Sequence, residues 1–325
     1  MSQTSPPPSP DATAATDGAR PVRRVLMLTH TGREEARSAA REVAAALAGH
    51  GMVVRMIARE ALDLAMTVDV ETTEDESGAS AGCELTLVIG GDGTILRAAE
   101  ITRDSGTPVL GVNLGHVGFL AEAEHDDLGS VIDAVVARRY TVEDRMSIDV
   151  RVLRDGEVVT STFALNEASV EKAARERMLE VVVEVDGRPL SRWGCDGVVC
   201  ATPTGSTAYN FSAGGPVVWP GVEALLMVPI SAHALFARPL VVAPTSVLAV
   251  EVLARTDSAG VLWCDGRRAV DLPPGARIEV RRGERPVRLA RLHEAPFTDR
   301  LVAKFGLPVE GWRGSAERRR RGQHA

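Results

Sequence analysis

The chain has 325 residues, 45% hydrophobic and 25% charged, with 37 Lys and Arg against 44 Asp and Glu, a formal net charge of −7. That length suggests about two domains, and the composition excludes a mainly disordered or fibrous chain. The acidic balance argues against broad binding to nucleic acid or to an anionic membrane, since either would want a basic face.

No apolar run is long enough to span a membrane. Residues 1–21, rich in Pro, Ser, Thr and Ala, lack the apolar core of a secretory signal and read as a disordered tail, which points to a cytoplasmic protein. Residues 313–325 form a short basic tail, read as a solubility feature ahead of a phosphate or partner contact. Lys172 and Lys304 are the only lysines. The Arg excess reads first as codon bias and second as phosphate binding. Cys83, Cys195, Cys200 and Cys264 form no C-x-x-C pair, and buried reduced thiols are favoured over a metal site or catalytic thiol.

From residue 22 to residue 145 strand and helix patterns alternate. Residues 25–28 are a short apolar run, followed by the turn-like Thr29-His30-Thr31-Gly32 and a helical stretch over 33–51. Residues 52–58 read as a strand and the acidic segment 71–82 as a surface loop. The continuous apolar run 85–89 suits a strand buried on both faces. A helix over 95–106 and a strand over 108–112 follow, and the latter enters a turn at Asn113-Leu114-Gly115. This alternation predicts an α/β domain with a parallel, Rossmann-like sheet.

The pattern changes near residue 146. Residues 146–165 alternate apolar and polar around Asp155-Gly156, and residues 179–190 repeat the device around Asp186-Gly187. With similar runs up to residue 282, this predicts an antiparallel β-sandwich domain over 146–292. Residues 293–312 turn helical and are expected to return to the first domain.

Two loops carry the chemistry. Gly90-Gly91-Asp92-Gly93-Thr94 lies between a buried strand and a helix. Its glycines allow close approach of a phosphate to the main chain, and the helix start offers free N–H groups and a positive dipole end. A carboxylate there disfavours phosphate unless chemistry needs it, to hold Mg²⁺ or to take a proton from an attacking hydroxyl. The alternative is a tight turn with Asp92 as helix cap, a role Thr94 fills equally well. The second loop runs over 202–216, TPTGSTAYNFSAGGP. It combines hydroxyls, exposed N–H groups and Tyr209, a ring able to stack on a flat ligand. It is uncharged and flanked by apolar segments, so a low-complexity surface loop fits poorly; its polar groups need partners and a ligand can supply them.

These two loops, in this order and across this change of pattern, resemble the NAD kinase family, ATP or polyphosphate:NAD 2′-phosphotransferases, in its actinobacterial form. Asn166-Glu167 within ALNEASVEK, the turn at Cys195-Asp196-Gly197 and the turn at Cys264-Asp265-Gly266 extend the resemblance from about residue 22 to 312. The resemblance implies an α/β N-terminal domain and a β-sandwich C-terminal domain, assembled as a homodimer or homotetramer. It makes Asp92 the catalytic base, and Gly93 and Arg97 dinucleotide contacts. It assigns ribose or adenine contacts to Asn166 and Glu167, although the residues alone read as a hairpin end. Asp196 would lie near the nicotinamide amide, with Thr207, Ala208, Tyr209, Asn210, Phe211 and Ser212 enclosing base and ribose. Arg177 falls where relatives place a basic residue near the phosphates, or is a solvated arginine. Arg267 stands where many members carry Gln, and either adds charge toward a phosphate or points outward beside Arg268.

The implied reaction is magnesium-dependent phosphoryl transfer from ATP, another nucleoside triphosphate or polyphosphate to the adenosine-ribose 2′-hydroxyl of NAD. No metal ligands are singled out, and NAD and ATP are the only partners implied. A lipid kinase of the diacylglycerol or sphingosine type shares GGDGT but would want a P-x-G-T-x-N-D-like segment, where this chain has GVNLGHVGFLAEAE. Phosphofructokinase lacks its T-I-D-N-D loop here, and a non-catalytic NADP(H) sensor would be favoured only without Asp92.

Overall fold

The computed structural model describes residues 22–113, 118–121, 123–124, 128–255, 259–292 and 296–309. Both tails, and Leu114-Gly115 of the predicted turn, lie outside the described residues. The first domain runs β1 (Arg24–Thr29), α1 (Glu34–Gly49), β2 (Val53–Ile57), α2 (Ala58–Leu64), β3 (Glu71–Thr73), β4 (Leu85–Ile89), α3 (Asp92–Thr102), β5 (Val109–Asn113), β6 (Ala123–Glu124), α4 (Leu128–Val136) and β7 (Thr141–Arg145). Strands β1 to β5 pair in parallel in the order β3-β2-β1-β4-β5. Successive residues of β1 serve opposite faces, as the pleat requires. Val25 and Met27 pack with Ala40, Val43 and Leu47 of α1 on one side. Leu26 and Leu28 pack with Ile95, Ala98 and Ala99 of α3 on the other. Helices α1 and α3 therefore leave adjacent strands toward opposite faces.

The acidic segment 71–82 is not wholly loop. Residues 71–73 add the edge strand β3 beside β2, where Glu71 meets Arg55 of β2 at 2.5 Å and reaches Arg24 of β1, one strand further in, at 2.7 Å. Helix α2 begins at residue 58, which the sequence reading placed at the end of a strand.

The second domain comprises β8 (Ile148–Arg154), β9 (Glu157–Ala164), β10 (Glu167–Lys172), β11 (Leu179–Val185), β12 (Arg188–Cys195), β13 (Gly197–Ala201), α5 (Tyr209–Ser212), β14 (Leu225–Ile230), β15 (Leu240–Val242), β16 (Leu248–Val252), β17 (Gly260–Cys264), β18 (Arg268–Leu272) and β19 (Arg277–Arg282). Two antiparallel six-stranded sheets, β15-β14-β13-β10-β17-β18 and β12-β11-β16-β19-β8-β9, enclose one core that includes Val150, Val181, Val198, Leu262 and Ile278. The Asp-Gly turns form as predicted: Asp155 and Gly156, and Asp186 and Gly187, all take positive φ, between 51° and 81°. Both central residues of a type I′ hairpin require that. Cys195, Cys200 and Cys264 are buried in the sandwich, and burial pushes their thiols up to about 12, so they carry no thiolate chemistry.

The boundary predicted at residue 292 needs correction. Strand β20 (Val287–Arg291) lies not in the sandwich but in the first sheet, parallel to β5 and antiparallel to β7. Alternating patterning cannot tell which sheet a strand joins; here Val287, Leu289 and Ala290 bury in the α/β core. The first sheet is thus mixed, with β7 as an antiparallel edge strand, an arrangement common at the rim of parallel sheets. Helix α6 (Phe297–Phe305) follows. Among the described residues no helix is long and apolar enough to cross a membrane.

Candidate active site

In the order β3-β2-β1-β4-β5, the connections from β1 and β4 diverge, so the topological switch point lies between these two strands. Open parallel sheets bind ligands outside the carboxyl ends of their strands at that point. A cavity of about 510 Å³ is found there, lined by Thr29 to Arg33 after β1, by Gly91, Gly93, Thr94 and Arg97 after β4, and by Arg267 from the sandwich. The starts of α1 and α3 meet in this space, with their free N–H groups and positive dipole ends. A Cβ added at Gly91 or Gly93 would meet nothing within 4 Å, so the glycine edge is open to a ligand. Thr29 adds a buried hydroxyl that has no hydrogen-bond partner in the protein.

Helix capping does not account for Asp92. Gly91 occupies the N-cap with no side-chain cap bond, and the Asp92 carboxylate turns aside to accept the N–H groups of Phe119 at 3.2 Å and Leu120 at 3.3 Å. Gly118 makes that contact possible, since a Cβ there would lie 2.5 Å from Asp92 Oδ1. Two long bonds leave the carboxylate with lone pairs to spare. Arg97 leans across α3 to a pair of acids: Nη1 pairs with Glu60, and Nε meets Glu76 at 2.5 Å. Glu60 is only 5% exposed, and its second oxygen accepts the Thr29 N–H at 2.8 Å. Burial raises its pKa against the opposing pull of Arg97. One buried carboxylate therefore ties the β1 turn to α3, on either side of the cavity.

The predicted residues of the sandwich gather around the step from β9 to β10. Residues 165–166 join two different sheets, so Asn166 and Glu167 mark a crossover and not a hairpin end. Asp265, at φ 53° beside Gly266 at φ 63°, holds this crossover from the β17–β18 turn. Its carboxylate accepts the N–H groups of Leu165 at 2.9 Å and Asn166 at 2.7 Å. Gly205 presses so close to the crossover that a Cβ would lie 2.0 Å from the Asn166 carbonyl oxygen. Glu167 is buried, its Oε2 without a hydrogen-bond partner, and burial pushes its carboxyl up to about 8. Tyr209 packs on the outer face of the same sheet, against Val199 and Ala201. Burial raises its phenol pKa, and the carboxylates of Glu171, Glu167 and Asp196 add to the rise, which puts all three within electrostatic reach of the ring. Asp196 itself is held low by Lys172, whose Nζ lies 2.5 Å away.

Other members of the loop divide by exposure. Asn210 is fully buried and donates to the carbonyls of Ser206 at 3.3 Å and Pro216 at 3.2 Å, so it shapes the loop from within. Thr207, Ala208 and Tyr209 are half-buried, and Phe211 and Ser212 are exposed, Phe211 stacking on Phe305 of α6 at 4.5 Å. Arg177 is exposed in the β10–β11 connection. The structure thus gathers Gly93, Arg97 and Arg267 in one cavity. It sets Tyr209 on the outer face of the sheet that carries Glu167, and leaves Asp196 in the bend between β12 and β13, paired with Lys172. Sequence reasoning missed the roles of Arg33, Glu60, Asp265 and Phe119. The strand-to-Gly-turn-to-helix pattern at residues 29–33, the same as at residues 89–93, was the available signal for the first.

A crevice at a switch point takes ligands such as nucleotides, and a carboxylate beside the free N–H groups of a helix start is an arrangement that phosphoryl transfer can use. Residues 25–140 match the ATP-NAD kinase N-terminal domain and residues 165–292 the ATP-NAD kinase C-terminal domain. The chain belongs to the ATP-NAD kinase family. It is 63% identical over 295 residues to NAD kinase 2 of Streptomyces coelicolor, covering 90% of this chain and 98% of that one. With the NAD kinase of Thermobifida fusca it shares 62% over 305 residues, 91% and 93% of the two chains. Among solved structures it is similar to yeast NADH kinase complexed with NADH, at TM-score 0.81 and 25% identity over 90% of each chain. It also resembles an NAD kinase from Archaeoglobus fulgidus in complex with ATP, at TM-score 0.66 and 26% identity, covering 88% of this chain and 100% of that one. These matches give the lipid-kinase alternative no support.

Proposed function

We propose that this chain phosphorylates the adenosine-ribose 2′-hydroxyl of NAD, with ATP as donor, to give NADP. The observation that carries the reading is Asp92, a carboxylate with spare lone pairs at the head of α3, beside an open cavity walled by two helix starts. The donor phosphates occupy that cavity, met by the N–H groups around Gly91 and Gly93 and by Arg97, Arg33 and Arg267. Gly93 and Arg97 thus serve the donor here, in place of the dinucleotide contacts that the resemblance implies. The dinucleotide lies along the sandwich, with Asn166 and Glu167 at a ribose and Thr207 to Ser212 around base and sugar. Asp196 lies at the nicotinamide end, and Arg177 at the rim toward the phosphates.

The ribose hydroxyl is a poor nucleophile until its proton leaves. Asp92 accepts that proton as the oxygen attacks the terminal phosphorus; the bond from phosphorus to the donor's bridging oxygen breaks, and ADP departs with that electron pair. Among the described residues no group of three His, Cys, Asp or Glu forms a metal cage. Mg²⁺ needs none, since it commonly keeps its waters and rests largely on substrate phosphates; here the donor phosphates would hold it, which leaves Asp92 to act as the base. When bound, the ion neutralises phosphate charge. The enzyme works in the cytoplasm as a homodimer or homotetramer, without nucleic-acid or membrane partners.

The test is NADP formation by the purified protein with NAD or NADH against ATP or polyphosphate. Asp92→Asn keeps the shape of the side chain and removes the base. It should bind NAD normally and lose about 10²–10⁴-fold in kcat. Turnover near that of the unaltered protein would remove Asp92 from the chemistry.

A further inference from the structure

The two domains meet along α3, the helix that begins with Asp92. Arg97, Glu100 and Arg103 follow one another at three-residue spacing, which places them on one side of that helix. Arg103 reaches β8, where Nη2 meets Asp149 at 2.5 Å. Glu100 faces the β17–β18 turn. Its Oε1 accepts the Nε–H of Arg267 at 3.1 Å and lies 3.1 Å from Nε of Arg268, an ion pair without hydrogen-bond alignment. Arg268 donates in turn to Asp265 Oδ2 at 3.0 Å. Asp265 is the residue that holds the backbone of Leu165 and Asn166. The guanidinium groups of Arg103 and Arg268 both cover the Phe163 ring, at 4.0 and 4.4 Å from its centroid.

We infer that Glu100 is a positioning residue that sets the two halves of the active site against each other. Its carboxylate does this along two routes. Through Arg267 it fixes a long, exposed side chain by Nε and leaves the terminal N–H groups to the phosphate cavity, which Arg267 lines. Through Arg268 and Asp265 it connects the helix carrying Asp92 to the crossover carrying Asn166 and Glu167. This inference rests on the reading of these places as donor and dinucleotide sites. Partly exposed ion pairs add little to stability, whereas a small displacement between reacting groups lowers turnover steeply. The effect of Glu100 therefore belongs in kcat.

Alanine suits a helix interior, so Glu100→Ala should fold. We expect its kcat to fall at least about tenfold, the size of loss that slight misplacement of reacting groups brings. Its melting temperature should stay close to that of the unaltered protein, and calorimetry should find NAD affinity little changed. Glu100→Gln keeps an acceptor oxygen for the Arg267 Nε–H and should recover most of the turnover. Arg268→Ala cuts the second route at its next link, and the loss in the double variant should be smaller than the two single losses combined. Unchanged kcat in Glu100→Ala, strictly additive losses, or a fall in kcat that follows a collapse in melting temperature would each overturn the inference. If the unaltered protein makes no NADP, the reading of the sites fails first; if it turns over and Glu100→Ala equals it, only the positioning role fails.

Discussion

Glu167 and Asp265 sit side by side in the sandwich and share the local donors unequally. Burial raises both carboxyls. Asp265 has opposing help from the N–H groups of Leu165 and Asn166 and from Arg268, whereas Glu167 has the Tyr209 N–H alone. The proton therefore rests on Glu167, whose carboxyl is pushed from 4.5 up to about 8. In the unfolded chain Glu167 ionises near 4.5, so the stability contributed by its native proton is complete below that pH and is lost as pH rises to about 8. Relative to Glu167→Gln, which has no such proton, the unaltered protein should lose on the order of a few kcal/mol of stability between pH 5 and pH 8. Thermal melts of both across that range check it, and parallel curves would place an ionised Glu167 in the native state. A protonated acid both donates and accepts, which suits a ribose diol. Asp92 was legible as a candidate from its glycine frame, because the flanking glycines and the helix start mark the turn locally, although the amides that hold its carboxylate lie 27 and 28 residues later in the chain. Asp265 was not, because the amides it holds lie 99 and 100 residues earlier in the chain.

Helix α6 is legible as a helix, but sequence alone does not say what it touches. Its Phe305 packs between Phe119 at 5.8 Å and Phe211 at 4.5 Å, and Phe297 lies 6.0 Å from Phe119 and 5.1 Å from Trp219. Arg300 donates to the carbonyls of Phe119 at 3.0 Å and Ala121 at 3.3 Å. The helix thus braces the segment whose N–H groups hold Asp92, and through Phe211 it touches the 202–216 loop as well. Aromatic pairs contribute about 0.5–1.5 kcal/mol each beyond their buried area. Phe305→Ala removes two and should destabilise the protein by roughly 1–3 kcal/mol. It should also lower kcat more than Phe297→Ala, which leaves Phe211 in place. Denaturant melts and steady-state kinetics report the two effects separately; equal kcat in both variants would make α6 a stabilising element only. The Asp-Gly hairpins were legible because two adjacent residues determine the turn. Helix α2 was not, because its seven residues are too few to show a helical period.

At the scale of the molecule, the sandwich is an insertion between two neighbouring strands of one sheet. Strand β7 ends at Arg145, and its Cα partner is Val287, the first residue of β20. The chain leaves the α/β domain at one rung of a ladder and re-enters it at the same rung. Val287, Leu289 and Ala290 are each at most 4% exposed and complete the cores on both faces of the sheet. Arg291 adds a pair with Glu143 at 2.9 Å. Burying a Val and a Leu is worth about 1.5–3 kcal/mol apiece, a large share of the roughly 5–15 kcal/mol that holds a domain together. A fragment of residues 22–145 also leaves β7 without its partner, so it should fail to fold cooperatively. Joining residue 145 to residue 287 through Asn-Gly, with residues 146–286 removed, closes β7 and β20 as a two-residue hairpin, for which that dipeptide is suited. This shortened chain, ending at residue 309, should give a dispersed amide NMR spectrum and a single urea transition, despite losing the contact of Leu165 with the α/β core. The separate fragment 146–286 keeps the whole sandwich core and should fold independently. If residues 22–145 alone unfold as cooperatively as the joined chain, β20 is a passive return of the chain and not a structural strand of the domain.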